Sequence, residues 1–132
     1  MAAETDLTQL LHCLAPRLNE GDYVFCSLPD ASILEGREVL GSIREVEGLS
    51  VILARQDAEA LGLRFDYVAA WITLQVHSAL QAVGLTAAFS TALAAAGISC
   101  NVIAGYHHDH LFVARADAGR ALQVLRQLAP RP

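Results

Sequence analysis

The chain of 132 residues contains no lysine, so all nine of its basic residues are arginines, set against fourteen Asp and Glu. The arginines are scattered and the formal net charge is −5. Phosphate backbones are held by clustered Lys and Arg, so nucleic acid is not expected as a partner. No uninterrupted apolar run is long enough to cross a bilayer, which leaves no membrane span to expect. The N-terminus lacks the basic stretch and apolar run of a secretory leader, and a cytoplasmic protein is the expectation. Cysteine is sparse: Cys13, Cys26 and Cys100 lie far apart in the sequence. An odd count without close pairing makes neither a disulfide framework nor a zinc motif, so three buried free thiols are expected. No Gly-x-Ser-x-Gly turn is present. Ser78 beside His77 therefore reads as a ligand contact, without the base, acid and oxyanion hole that a nucleophile needs.

Apolar residues, in contrast, make up 54% of the chain and charged residues only 17%. That balance exceeds the needs of an average domain core and suggests a further face buried against a second copy, as in a homodimer. Trp71 to His77 alternates as a half-buried strand does. Leu85, Phe89, Leu93 and Ala96 recur at helical spacing, and Gly97 stops that helix. Ile98 to Ile103 reads as the next strand, followed by a glycine turn into His110-Leu111-Phe112-Val113. A strand–turn–helix of this kind, with its turn at Val83-Gly84-Leu85-Thr86, points backbone N–H groups toward a small anion. Leu85, Phe89, Leu93, Leu122 and Leu125 are core candidates, and the indole N–H of Trp71 requires a partner.

The two halves echo one another. Ser50 to Leu61 and Leu111 to Leu122 each read as a strand ending in Ala-Arg, one variable residue, Asp-Ala, then an apolar helix face. Asp57 and Asp117 are the predicted N-caps of those helices. A leucine stripe from Leu7 to Leu14, with Asp6 and Gln9 placed as a capping box, precedes the strand Asp22 to Ser27, much as Leu85 to Ala96 precedes Ile98. The first half differs between Ser27 and Ser50, where a Pro29-Asp30 turn leads to the short strand Ser42 to Val46 and the tight turn Glu47-Gly48. Duplication is the expectation, with subdomains at 1–65 and 66–132. Each is an α+β unit of β-α-β-β-α order with one edge strand missing or shared, and an uncovered sheet edge favours pairing between sheets or copies.

His77 to Thr86, followed by Ala94-Ala95-Ala96-Gly97-Ile98-Ser99, resembles an ACT domain. Arg44-Glu45-x-Glu47-Gly48-Leu49 and Tyr106-x-His108-Asp109-His110-x-Phe112-Val113 extend the likeness to stand-alone tandem ACT-like proteins, related to the regulatory domains of aspartate kinases. The resemblance implies a ferredoxin-like βαββαβ sandwich with antiparallel sheets and helices on one face. It further implies a non-enzymatic regulatory protein that binds an amino acid and needs no cofactor. On that likeness the ligand carboxylate meets backbone N–H groups of Val83, Gly84 and Leu85, while Ser99 and Asn101 add polar contacts and the ligand bridges the two, between subdomains or across a dimer interface. Many amino-acid-binding members place Asp or Asn shortly before the turn glycine; here the stretch is Gln81-Ala82-Val83, without charge. Arg44 and Glu47 are candidates for the missing charged partners, since Arg suits a carboxylate and Glu an ammonium. His77 is a further hydrogen-bonding candidate.

Tyr106-His107-His108-Asp109-His110 admits a second reading. In a strand, His108 and His110 share one face and begin a metal site with His77 or Glu47. The alternative is a polar hairpin whose imidazoles satisfy local groups. A third reading of the whole chain is an interaction module that docks a partner through its sheet edge and binds no ligand.

Overall fold

The computed structural model describes residues 7, 11, 14–75 and 84–128. Their elements are β1 (Pro16–Leu18), β2 (Tyr23–Leu28), a 3-10 turn (Ala31–Leu34), β3 (Gly41–Glu45), β4 (Gly48–Ala54) and α1 (Arg55–Ala60). They continue with β5 (Val68–Leu74), α2 (Leu85–Ala95), β6 (Cys100–Ala104), β7 (Asp109–Ala114), a 3-10 turn (Arg115–Asp117) and α3 (Ala118–Leu128). The chain forms two compact units. One is Glu20–Ala69; the other joins Met1–Asn19 to Ala70–Pro132. The units therefore cross the linear division at 65/66, because the stretch up to Asn19 belongs with the later residues.

In the Glu20–Ala69 unit the ladder runs β3-β4-β2, closed by Val68 and Ala69 of β5 opposite Val24 and Tyr23. Period-two alternation turns Val24, Cys26 and Leu28 inward on β2, and Val51 and Leu53 inward on β4. Leu34 and Ala58 complete this core. The crossover from β2 to β3 contains a four-residue 3-10 turn where a full helix would stand. Asp30 starts this turn by accepting the Ser32 N–H at 2.8 Å.

In the other unit the ladder is β1-β5-β7-β6. Pro16, Arg17 and Leu18 pair antiparallel with Leu74, Thr73 and Ile72, so a strand from the start of the chain completes this sheet. Ala70, Ile72 and Leu74 of β5 and Leu111 and Val113 of β7 face the helices. Leu85, Phe89 and Leu93 of α2 meet them, as do Ala118, Ala121 and Leu125 of α3. Phe89 and Leu93 are fully buried, which follows from apolar residues four apart on one helix stripe. At the end of α2, Gly97 (φ +75°) lets its N–H bond Ala94 O at 2.9 Å and the Ile98 N–H bond Leu93 O at 2.9 Å. Arg120 of α3 donates to Ala96 O at 3.0 Å, satisfying one further orphan carbonyl of that terminus.

The sequence repeat reappears in backbone geometry: Ala54 (φ −60°, ψ 136°) and Ala114 (φ −54°, ψ 138°) hand their strands to helical turns in the same way. Asp57 and Asp117 are not the caps expected of them. The turns begin at Arg55 and Arg115, two residues earlier, and neither Ala54 nor Ala114 makes a side-chain capping bond. Inside the first turn the two acids engage arginines instead, Asp57 lying 3.9 Å from Arg37 and Asp117 3.0 Å from Arg120. Each unit nonetheless has the strand order of a βαββαβ sandwich, and β5 is the strand that both units draw upon. Leu122 packs against the core with its side chain half-buried.

Candidate ligand site

The best-formed part of the expected site is the start of α2. Gly84 is the N-cap at φ +98°, a left-handed conformation that glycine adopts without strain. The N-cap itself makes no side-chain capping bond. Glycine brings no side-chain acceptor to the N–H groups of that turn, and the helix dipole favours an anion there. Leu85 contributes backbone only, because its side chain is buried in the core at 3% exposure. Leu7 closes in from one side, where a Cβ on Gly84 would meet its Cδ2 at 3.2 Å. His77, Ser78 and Val83, together with Gln81, lie outside the described residues.

Ser99 and Asn101 do not join this turn within one unit. Ser99 follows the C-terminus of α2, whereas Gly84 starts it, and a helix of 11 residues is about 16 Å long. Asn101 also points to the other side of the sheet. It pairs with Phe112, while the alternate residues Cys100 and Val102 pack on the helix side. A single amino acid does not bridge the two places within one unit. Arg44 on β3, opposite Leu49, and Glu47 in the following turn are exposed residues of the Glu20–Ala69 unit. Neighbouring Glu45 is engaged by the Ser50 hydroxyl.

The helix-free face of the later unit carries a polar network that reading the chain in order did not assemble. The indole N–H of Trp71 donates to His110 Nδ1 at 3.1 Å, with ring centroids 5.8 Å apart. The Thr73 hydroxyl lies 3.3 Å from the same nitrogen and accepts from Asn19 Nδ2 at 2.9 Å. The Asn19 backbone and side chain both donate to Trp71 O, at 2.9 and 3.2 Å. With an indole donor aimed at it, Nδ1 carries no proton, so neutral His110 holds its proton on Nε2. Burial lowers the pKa of His110 and the neighbouring charge of His108 lowers it further, against an opposing effect of Asp109. Burial raises the pKa of Asp109 itself. The only advance signal of this network was the indole in need of a partner.

The histidine hairpin does not present the alternating faces expected of a strand. Residues 106–108 form the bend between β6 and β7, closed by Gly105 N–H to His108 O at 2.9 Å, and only Asp109 and His110 lie on the strand. His108 and His110 therefore do not start a common metal face, and Glu47 belongs to the other unit. Among the described residues no group of three His, Cys, Asp or Glu side chains is placed to hold a metal ion. Cys26 is buried, and half-buried Cys100 has its thiol pushed up to about 11 by desolvation, which leaves both as inert thiols. Cys13 lies outside the described residues. No described helix is long and apolar enough to cross a membrane.

Comparison with known proteins adds the family. Residues 2–70 match a model of the ACT domain, and residues 67–127 match a second ACT domain model. Among solved structures, a protein of unknown function from Vibrio cholerae, called a possible transport protein, is 48% identical. The match covers 94% of this chain and 96% of that one, with a TM-score of 0.86. A protein from Agrobacterium tumefaciens is 18% identical, covering 88% and 89%, with a TM-score of 0.73. The ligand-free regulatory subunit of aspartate kinase from Thermus thermophilus is 13% identical, covering 89% of this chain and 99% of that subunit, with a TM-score of 0.68. The last two likenesses concern the fold alone. No curated protein matches the sequence.

Proposed function

Because this chain belongs to the ACT domain family, we propose that it is a non-enzymatic regulatory protein of the cytoplasm that binds an amino acid or a related small carboxylate. The observation that carries this reading is the first turn of α2 behind Gly84, a left-handed N-cap without a side chain, where a carboxylate would lie on backbone N–H groups. Such a terminus contributes about 0.3–1 kcal/mol toward an anion, so side chains must supply most of the affinity. Ser99 and Asn101, separated from the turn in their own unit, serve a ligand bound at α2 of a second copy. Arg44, Glu47, His77 and Ser78 are the remaining contacts in this proposal, with Arg44 and Glu47 supplying the charges that Gln81 lacks.

A homodimer is part of the proposal. The outer strand β6 ends its ladder and bears Ile103, while the adjoining turn exposes Tyr106 at 80%. An unpaired edge with apolar side chains is normally covered. Ligand would favour one arrangement of the two copies only by its differential affinity for it.

Thermal-shift screening against each amino acid and common divalent metals, followed by calorimetry, tests the reading. The expected outcome is stabilisation by one or a few amino acids, with weaker binding in Asn101→Ala and Arg44→Ala. Stabilisation by a metal alone, or by none of the compounds, would overturn it. Light scattering that gives a monomer mass at high concentration would remove the dimer.

A further inference from the structure

A cleft of ≈ 440 Å³ opens in the Glu20–Ala69 unit between the start of β2 and the β4–α1 junction. It is lined by Gly21, Asp22, Tyr23, Arg55, Gln56 and Glu59. Its size is that of small-molecule sites in general. Arg55 is rooted beside β2, since its backbone N–H donates to Asp22 O at 2.9 Å. Its guanidinium lies over the Phe65 ring, 5.7 Å from the centroid. Glu59 and Asp22 flank it with carboxylate oxygens 3.6 Å from Nε and 3.9 Å from Nη1. These separations balance charge but exceed hydrogen-bonding distance. Nε itself is buried with no hydrogen-bond partner among the described residues. A planar fork of donors is thus held against an aromatic ring at the wall of a cleft, and its Nε has no acceptor at bonding distance among the described residues.

The charge pattern selects the ligand class. A simple anion such as phosphate would be opposed by the two flanking carboxylates, and a simple cation by the guanidinium. A molecule carrying both signs on adjacent atoms meets both. The internal repeat shows that the acid is particular to this unit. Arg115 corresponds to Arg55 in the Ala-Arg-x-Asp-Ala segment, but Gly119 stands where Glu59 does. We propose that this cleft is a second small-molecule site, separate from the α2 turn, that takes a zwitterion of α-amino-acid size. The ligand carboxylate lies on the Arg55 fork and the ammonium against Glu59, with Asp22 adding negative charge.

The test is a chemical-shift titration of the isotope-labelled full chain with each proteinogenic amino acid, then with the α-amide and N-acetyl form of any that binds. The expected result is a shift at the backbone amides of Gly21, Arg55 and Gln56 that disappears with either derivative. Affinity should fall about tenfold or more in Arg55→Gln and in Glu59→Gln, as for the loss of one charge-assisted contact. Glu59 is 57% exposed on its helix, so Glu59→Gln leaves the fold intact even if Arg55→Gln, which loses the Phe65 contact, does not. No shift at these amides with any amino acid at millimolar concentration overturns the proposal. So do shifts that persist unchanged in Glu59→Gln. Shifts confined to Gly84 and Leu85 support the α2 site and overturn this one, so the two readings fail separately.

Discussion

Replacing Trp71 with Phe removes one donor from the network on the helix-free face and leaves most of the ring in place. His110 Nδ1 then loses its indole partner at 3.1 Å and keeps only the Thr73 hydroxyl at 3.3 Å. A hydrogen bond contributes about 1 kcal/mol net, and a buried acceptor left without a donor costs about 1–3 kcal/mol. Because His110 is half-buried and Thr73 remains, the expected loss is about 1–2 kcal/mol near neutral pH. The pH dependence follows from the lowered pKa of His110. Above its ordinary value of 6.5 the ring is neutral whether folded or unfolded, and the network contributes in full. As pH falls below that value the unfolded chain takes up the proton first, so stability is lost as pH drops through the folded pKa. Asp109 has the opposite sign. Its raised pKa means that the folded state binds the extra proton, and stability is gained as pH falls through that pKa toward 3.8. The charged and titratable neighbours that act on His110 are His108 and Asp109 of the hairpin. The indole bond favours neutral His110, so Trp71→Phe raises its pKa and flattens the acid-side loss. Urea unfolding by far-ultraviolet circular dichroism at about pH 7.5 and about pH 5 reads both effects, since Trp71 is the only tryptophan and fluorescence cannot follow the variant. Coincident midpoints at the higher pH, or an equal loss in both proteins on acidification, would refute the reasoning.

Phe89→Ala empties a fully buried position in α2 and is expected to cost about 3–5 kcal/mol, read as a lower urea midpoint at unchanged slope; a cost below about 1 kcal/mol would contradict the packing. Gly84→Ala forces a side chain into the left-handed N-cap and against Leu7, which should lower stability by about 1–2 kcal/mol in thermal or urea unfolding. In a Cys13→Ser background at about pH 8, Cys26 and Cys100 should react with a thiol reagent far more slowly in native protein than in urea, because desolvation holds both as thiols. Rapid native labelling of Cys100 would show that its surroundings are wetter than the structure has them.

Much of the fold was legible in the chain because its signals are local. Phe89 and Leu93 lie four residues apart on one helix stripe, and Gly97 provides the left-handed turn that ends it. Alternation from Trp71 to His77 separated Ile72 and Leu74 from Trp71 and Thr73, since successive strand residues must point to opposite faces. The Ala-Arg-x-Asp-Ala repeat marked two equivalent strand-to-helix junctions, which the matching dihedrals of Ala54 and Ala114 display. The caps were misread because an acid in the first turn and an acid at the N-cap look alike in sequence, and only the backbone fixes where the first turn begins. The histidine hairpin was misread for a related reason: the alternation rule was applied across a bend at 106–108.

By itself, then, the sequence determined the class of fold, the two-fold repeat and the faces of its strands and helices, all of which follow from residue patterns spanning a few turns. Tertiary structure decided the rest. It gave β1 to the later unit and the first residues of β5 to the earlier one, because strand partners are chosen by long-range pairing. It brought Trp71 to a histidine 39 residues away and placed Ser99 and Gly84 at opposite ends of α2. It also set Arg55 between Glu59, Asp22 and Phe65, a juxtaposition that depends on strands and helix packing together and that no local spacing announces.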